Sequence, residues 1–360
     1  MQDVSLQSWS GGKGANGIPS VHKGNLAQQS VKDKKKRGER NKMAHELESS
    51  FYFGEVPWHG LGTPVEGALT SQDALVKAGL DWEVEIQPVF IHYQGNPLNA
   101  INIPDAKAVV RKTDGAALGV VGNRYTPVQN VEAFKFFDGL TQGNFAMYHT
   151  AGSLRGGKKT WILAKLPDVI KIRDDVVDKY LLLYNSFDGT TPFSVQFTPV
   201  RVVCMNTLTM ALGQVVGERF RMRHTTNVMS KVSSAQQLLG LTNQFYVNFQ
   251  EIANRMAVLA LPAPKMENYI ISSLGIKEED KAMWRPMEQY AFTKTMELVE
   301  VGKTTPQSKG TLWGAYNAVT EYEDHWKKNQ DRTSRFEFSL LGSGAELKQN
   351  AFAQALELLK

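Results

Sequence analysis

Nucleotide chemistry is the first possibility the residues raise. Gly302-Lys303-Thr304 has the ending of a phosphate-binding loop, but that loop needs a glycine five residues before its second glycine, and Glu297 stands there. The seven histidines, His22, His45, His59, His92, His149, His224 and His325, include no pair at the i, i+4 spacing that sets two metal ligands on one helix face. Asp324-His325 is an adjacent pair aimed at different faces. Cys204 sits in the apolar stretch Val202-Val203-Cys204-Met205, the setting of a thiol packed as a small hydrophobe. Ser186 lies between Asn185 and Phe187 without the glycine elbow of a hydrolase nucleophile. These residues predict no enzyme, no metal and no cofactor; a catalytic site assembled only in three dimensions is the least favoured reading.

Basic residues set among aromatics remain. In Glu218-Arg219-Phe220-Arg221-Met222-Arg223-His224 the arginines alternate with other positions. An extended chain therefore puts Arg219, Arg221 and Arg223 on one face about 7 Å apart, with Phe220 and Met222 packing inward. That spacing matches the reach between phosphates along a single nucleic-acid strand. Arg155, Lys158 and Lys159 lie at the Gly156-Gly157 turn near Trp161, Arg111-Lys112 and Arg124-Tyr125 flank a predicted hairpin, and Arg201 is a further basic candidate. Hairpin tips that combine Arg or Lys with a ring suit single-stranded DNA, because phosphates take the charge and bases stack; Tyr125 and Trp161 are the predicted stackers. The plain alternative for each cluster is a solvated edge strand protected by charge.

The elements that would position these groups are legible in outline. Residues 51–64 pack aromatics between turn formers and predict an irregular docked segment. Thr70 or Ser71 caps a short helix with Ala74, Leu75 and Ala78 on one face. Trp82, Val84 and Ile86 alternate, Val89-Phe90-Ile91 follows Pro88, and Lys107–Lys112 and Ala117–Val121 flank the turn at Asp114-Gly115, so residues 82–126 read as strands. Pro127 opens a helix whose buried face is Val131, Ala133, Phe134, Phe137 and Leu140. Strands follow over 148–154, 159–165, 180–185 and 193–197, with turns at Gly156-Gly157, around Pro167 and at Phe187-Asp188-Gly189. Val202, Val203, Met205, Leu208 and Leu212 have helical spacing. From Ser230 to the mid-320s, and from Ala345 to Lys360, the pattern is mostly helical. The predicted fold class is α+β, an antiparallel hairpin-rich sheet packed by helices and followed by a helical C-terminal region.

The 360 residues, 42% apolar and 21% charged, have a globular composition. Three parts are expected: a disordered basic tail over 1–42, an α+β core over 43–227 and a mostly helical region over 228–360. No apolar run reaches the ~18 residues of a membrane span and the start lacks a signal-peptide pattern, so a cytoplasmic protein is expected. The lone Cys204 excludes an internal disulfide and any Cys-x-x-Cys site. The net charge of +5 points to an anionic partner until it is divided. The first 42 residues hold nine bases and three acids, a balance of +6, and the rest holds 32 bases and 33 acids, or −1. Two readings of the tail stand. It is a phosphate-gripping arm, or Arg37-Gly38-Glu39 is a translated ribosome-binding sequence ahead of a start at Met43.

Several longer motifs are specific: Pro57-Trp58-His59-Gly60-Leu61-Gly62, Tyr125-Thr126-Pro127-Val128-Gln129-Asn130, the stretch from Thr198 to Thr207, Arg221-Met222-Arg223-His224-Thr225 and the stretch from Gly314 to Tyr322. In these the chain from Met43 onward resembles the phage/plasmid-like protein family built on an uncharacterised domain (domain of unknown function nine-three-two). The resemblance implies a phage, prophage or conjugative element in a bacterial cytoplasm and carries over no catalytic residue. In architecture, hairpins followed by a helix on a curved sheet are similar to the Rad-fifty-two-like single-strand annealing proteins. That likeness implies single-stranded DNA as partner, a homo-oligomer and no nucleotide. The rival expectation is a phage or plasmid protein that engages a host protein through the aromatic Phe51 to Trp58 segment.

Overall fold

The computed structural model describes residues 47–53, 63–67, 69–96, 98–138, 146–201, 206–207, 219–225, 238–277, 279–303, 306–327, 338 and 342–360. The fold is α+β. The strands are β1 (Leu47–Phe53), β2 (Thr63–Val65), β3 (Val84–His92), β4 (Ala100–Arg111), β5 (Ala117–Gly122), β6 (Met147–Leu154), β7 (Lys159–Ile172), β8 (Asp175–Ser186), β9 (Phe193–Arg201), β10 (Asn206–Thr207) and β11 (Arg219–Met222). The helices are α1 (Ser71–Lys77), α2 (Asn130–Lys135), α3 (Leu238–Val258), α4 (Ala263–Ser273), α5 (Pro286–Val301), α6 (Leu312–Glu321) and α7 (Ser343–Leu358).

Eight of the described strands form one sheet in the order β10-β9-β8-β7-β6-β1-β2, with β11 added beside β9. Its pairs are antiparallel except β1 with β2. Short turns drive this pattern, since a tight hairpin can join only antiparallel neighbours. Arg155, Gly156 and Gly157 all take positive φ in the β6–β7 turn, and Arg173 at φ 54° closes β7 onto β8. Three further strands, β3-β4-β5, make a second antiparallel sheet.

Period-two alternation sends successive side chains of the central strands into two separate clusters. Ile162, Ala164, Leu181, Leu183, Val195 and Phe197 join the main core together with Phe249 of α3 and Trp313 of α6. Their neighbours Trp161, Leu182 and Tyr184, with Leu154, form a second buried cluster. The sheet is thus buried on both faces, as the unbroken apolar run Tyr180–Tyr184 suggests. Every residue of α6 is buried, and α3, α4, α5 and α7 pack around it. The Asp175 carboxylate, at the start of β8, accepts from Trp313 Nε1 at 2.7 Å and ties the sheet to this helical layer.

Some local expectations change. Residues 51–53 are not irregular: they complete the seven-residue β1, which pairs with β6 as far as Tyr52 and with β2 through Phe53. Phe51 is fully buried, so it is no docking surface for a host protein; residues 54–62 lie outside the described set. Pro167 does not end a strand. It falls in a bulge of the long β7–β8 ladder, between Lys165 and Val169, where a proline costs no ladder bond. The helix after Pro127 spans Asn130–Lys135, capped by Gln129 and Glu132. Asn206-Thr207 pairs with β9 instead of continuing a helix, and residues 202–205 and 208–218 are outside the described set, as is the tail.

Candidate nucleic-acid interface

The arginine stripe begins on β11, which pairs only with β9 among the described strands. β11 pairs with β9 in a register that sets Arg219 opposite Gln196, Phe220 opposite Val195, Arg221 opposite Ser194 and Met222 opposite Phe193. Along it the alternation holds: Arg221 and Arg223 are exposed, Met222 and His224 are buried. Two exposed guanidinium groups therefore share a face, about 7 Å apart along an extended chain.

The end of this segment is fastened to the chain that leaves β5. Thr126 N donates to His224 O at 3.1 Å, and the Tyr125 and His224 rings stack with centroids 4.8 Å apart. The Tyr125 hydroxyl donates to Ser186 O at 2.6 Å. Burial, reinforced by nearby Asp188, pushes that phenol well above its ordinary range, so it stays a donor. Burial holds the His224 imidazole down at about 4, neutral at physiological pH. Phe187 N in turn donates to Lys158 O at 2.7 Å, which brings the β6–β7 turn to the same corner. The chain segments that carry Arg124, Lys158, Arg221 and Arg223 thus meet near Ser186-Phe187 at one end of the main sheet, where Asp188 also lies. All four are exposed, and none is in an ion pair with an acid among the described residues.

Other predicted contacts are placed differently. Trp161 is 1% exposed inside the second cluster and Lys159 is 3% exposed, because the face of the sheet that carries them is buried. Arg111 is buried with its guanidinium over Trp82, and it is held bidentately by Asp114, Nε to Oδ1 at 3.0 Å and the second bond at 2.8 Å. Its charge is spent inside the protein. Tyr125 is half-buried with one ring face on His224, and Arg155 is half-buried in its turn. Arg201 pairs with Val177 at the far end of β9, seven residues from Ser194, or roughly 24 Å along the strand. No single groove takes in Arg111, Arg155, Lys159, Arg201 and Arg221.

Gly302 caps the C-terminus of α5, donating to Leu298 O at 2.8 Å, while Lys303 N donates to Glu321 Oε2 at 3.1 Å. A phosphate loop opens a helix and this segment closes one. Ser186 Oγ donates to Thr191 O at 2.9 Å and accepts from Thr191 N, the work of a turn lock. Among the described residues no group of three His, Cys, Asp or Glu could hold a metal ion, and no helix is long and apolar enough to cross a membrane. Sequence reasoning missed the part of His224, which lies behind Tyr125 as a platform; no local pattern signals a contact between residues so far apart in the chain.

Fold and site together define an α+β protein whose main sheet presents a basic surface at one end. The chain belongs to the family described as Domain of unknown function (DUF932), which matches residues 117–343 and so takes in β5 to β11 and most of the helical layer. No curated protein and no solved structure matches it.

Proposed function

We propose that this protein is a non-catalytic single-stranded DNA-binding and annealing protein of a phage, prophage or plasmid. The observation that carries the reading is that the chain segments bearing Arg124, Lys158, Arg221 and Arg223, all exposed and in no ion pair among the described residues, meet at one sheet corner, with Asp188 as the neighbouring acid. Guanidinium and ammonium groups held on strands and tight turns suit phosphate oxygens, and they act without nucleotide or metal. With Trp161 buried and Tyr125 covered on one face, the surface grips backbone and leaves base edges free, as annealing requires. The mobile-element setting rests on the motif resemblance alone.

An anisotropy titration with labelled oligonucleotides of differing sequence, repeated across salt concentrations, tests the reading. Affinity should vary little with sequence and fall with a log–log slope of about 0.7 per phosphate contact. Absence of binding at low salt ends the proposal.

A further inference from the structure

Trp161 is buried and one face of Tyr125 is covered, so the rings expected to stack bases are taken up by the fold. Two others stand open on the second sheet. β5 pairs only with Ala106 to Val110 of β4, and β3 has no strand on its outer side, so Val89–His92 and Ala100–Ile103 run on as a two-stranded arm with both edges unpaired among the described strands. Phe90 on this arm is 51% exposed, and Tyr93, where β3 enters its turn, is 56% exposed. In a chain that is 21% charged, the nineteen residues from Ile86 to Pro104 contain no Asp, Glu, Lys or Arg. The arm has no cation to offer a phosphate and two rings to offer a flat apolar partner. Its root lies at the basic corner: Asn123 Nδ2 donates to Pro104 O at 2.8 Å and to Asp105 Oδ1 at 3.1 Å, which fastens the start of the arm to the residue before Arg124. Asp105 is the acid at this root. Phe90 pairs with Asn102, two residues or about 7 Å along the strand from Pro104, and Tyr93 lies three residues or about 10 Å beyond Phe90. Open rings thus follow on an exposed cation, the combination that holds a single strand by its phosphates and by the faces of its bases.

We propose that the β3–β4 arm stacks bases: Phe90 and Tyr93 take the faces of unpaired bases on a strand whose phosphates lie on Arg124 and the other cations of the corner. The assignment rests on the single-strand reading of that corner and names the second part of the ligand. Unpaired bases suit the arm for three reasons. Every base has a π-face whatever the sequence, so an open ring binds it without a charged or hydrogen-bonding neighbour, and a ring-to-base contact needs no broad continuous surface. Stacking occupies base faces and leaves the pairing edges free, in keeping with annealing. A duplex keeps those faces stacked inside itself, so the arm selects single strands. A ribbon of two strands is also marginal in water unless a face is covered, and stacked bases supply that cover.

Anisotropy titrations of the full chain with two labelled strands of equal length, one of mixed sequence and one abasic throughout, test it. The wild type should bind the base-bearing strand more tightly than the abasic one, which keeps every phosphate, by a factor of about five or more. Phe90→Ala and Tyr93→Ala should each weaken the base-bearing strand about fivefold or more, while affinity for the abasic strand and the log–log salt slope stay as in the wild type. Tyr93→Phe, which keeps the ring, should bind as the wild type does. Circular dichroism should be unchanged in all three, because both side chains are exposed. A wild type that binds neither strand defeats the single-strand reading and the stacking role with it. Equal affinity for the two strands, alanine variants as tight as the wild type, or variants that lose both strands alike overturn the stacking role and leave the reading of the corner standing.

Discussion

The basic corner depends on one buried imidazole. His224 supports the ring of Tyr125, and through it the strand end that presents Arg221 and Arg223. Its ordinary value of 6.5 falls to about 4 because burial penalises the charged ring; His149, buried against Tyr180 in the β6 bulge, falls likewise. Between those values the unfolded chain binds a proton that the fold refuses. Stability should therefore decline as pH drops from 6.5 towards 4, by up to about 1.4 kcal/mol per pH unit for each histidine, and be flat in this respect above 6.5. Urea unfolding at pH 7.5 and pH 5 checks this: His224→Gln should lose less stability between the two than the wild type. An equal loss would mean that His224 is not buried neutral.

At the scale of elements, the corner is a meeting of turns. Gly119 of β5 lies so close to the β8–β9 turn that an added Cβ would run into Asp188 Cα. Gly119→Ala should therefore push the β4–β5 hairpin off that turn and lower stability by about 1–3 kcal/mol, read by thermal unfolding. Gly115→Ala, with open space around it but a φ of 70°, should cost only its backbone strain, about 1 kcal/mol. The same elements mark what a single sequence can tell. Alternation made β11 and the fate of Arg221, Met222 and Arg223 readable, because a strand has only two faces. The Thr70 cap was readable too, and Asp73 completes it as a capping box. Alternation cannot say whether the second face meets water, which is why Lys159 and Trp161 looked like surface groups. The run Tyr180–Tyr184, apolar on both faces, was the signal that they are not. The Asp114 clamp on Arg111 spans three residues and was equally open to a local reading. The approach of Tyr125 to His224 was not, since only tertiary packing creates it.

For the molecule as a whole, a buried charge pair ties the helical layer together. Lys348 of α7 is fully buried with its ammonium 2.8 Å from Asp324, on the π-helical turn Tyr322–Trp326 that follows α6. Lys348→Met should cost about 3–5 kcal/mol, because it takes the ammonium from the buried Asp324 carboxylate and from its neighbour Glu323, and pairing it with Asp324→Leu should recover part of the loss in a denaturant titration. Bulk charge is a poor guide at this scale: the excess belongs to residues 1–42, while the proposed function belongs to a few positions at a sheet corner. The full chain carries both, so binding alone does not separate them. The decisive measurement is the salt dependence of single-stranded DNA affinity for the wild-type chain beside Arg221→Glu/Arg223→Glu. The account predicts affinity at least tenfold weaker and a log–log slope shallower by about 1.4, the share of two phosphate contacts. Equal affinity and equal slope in the two proteins would contradict it.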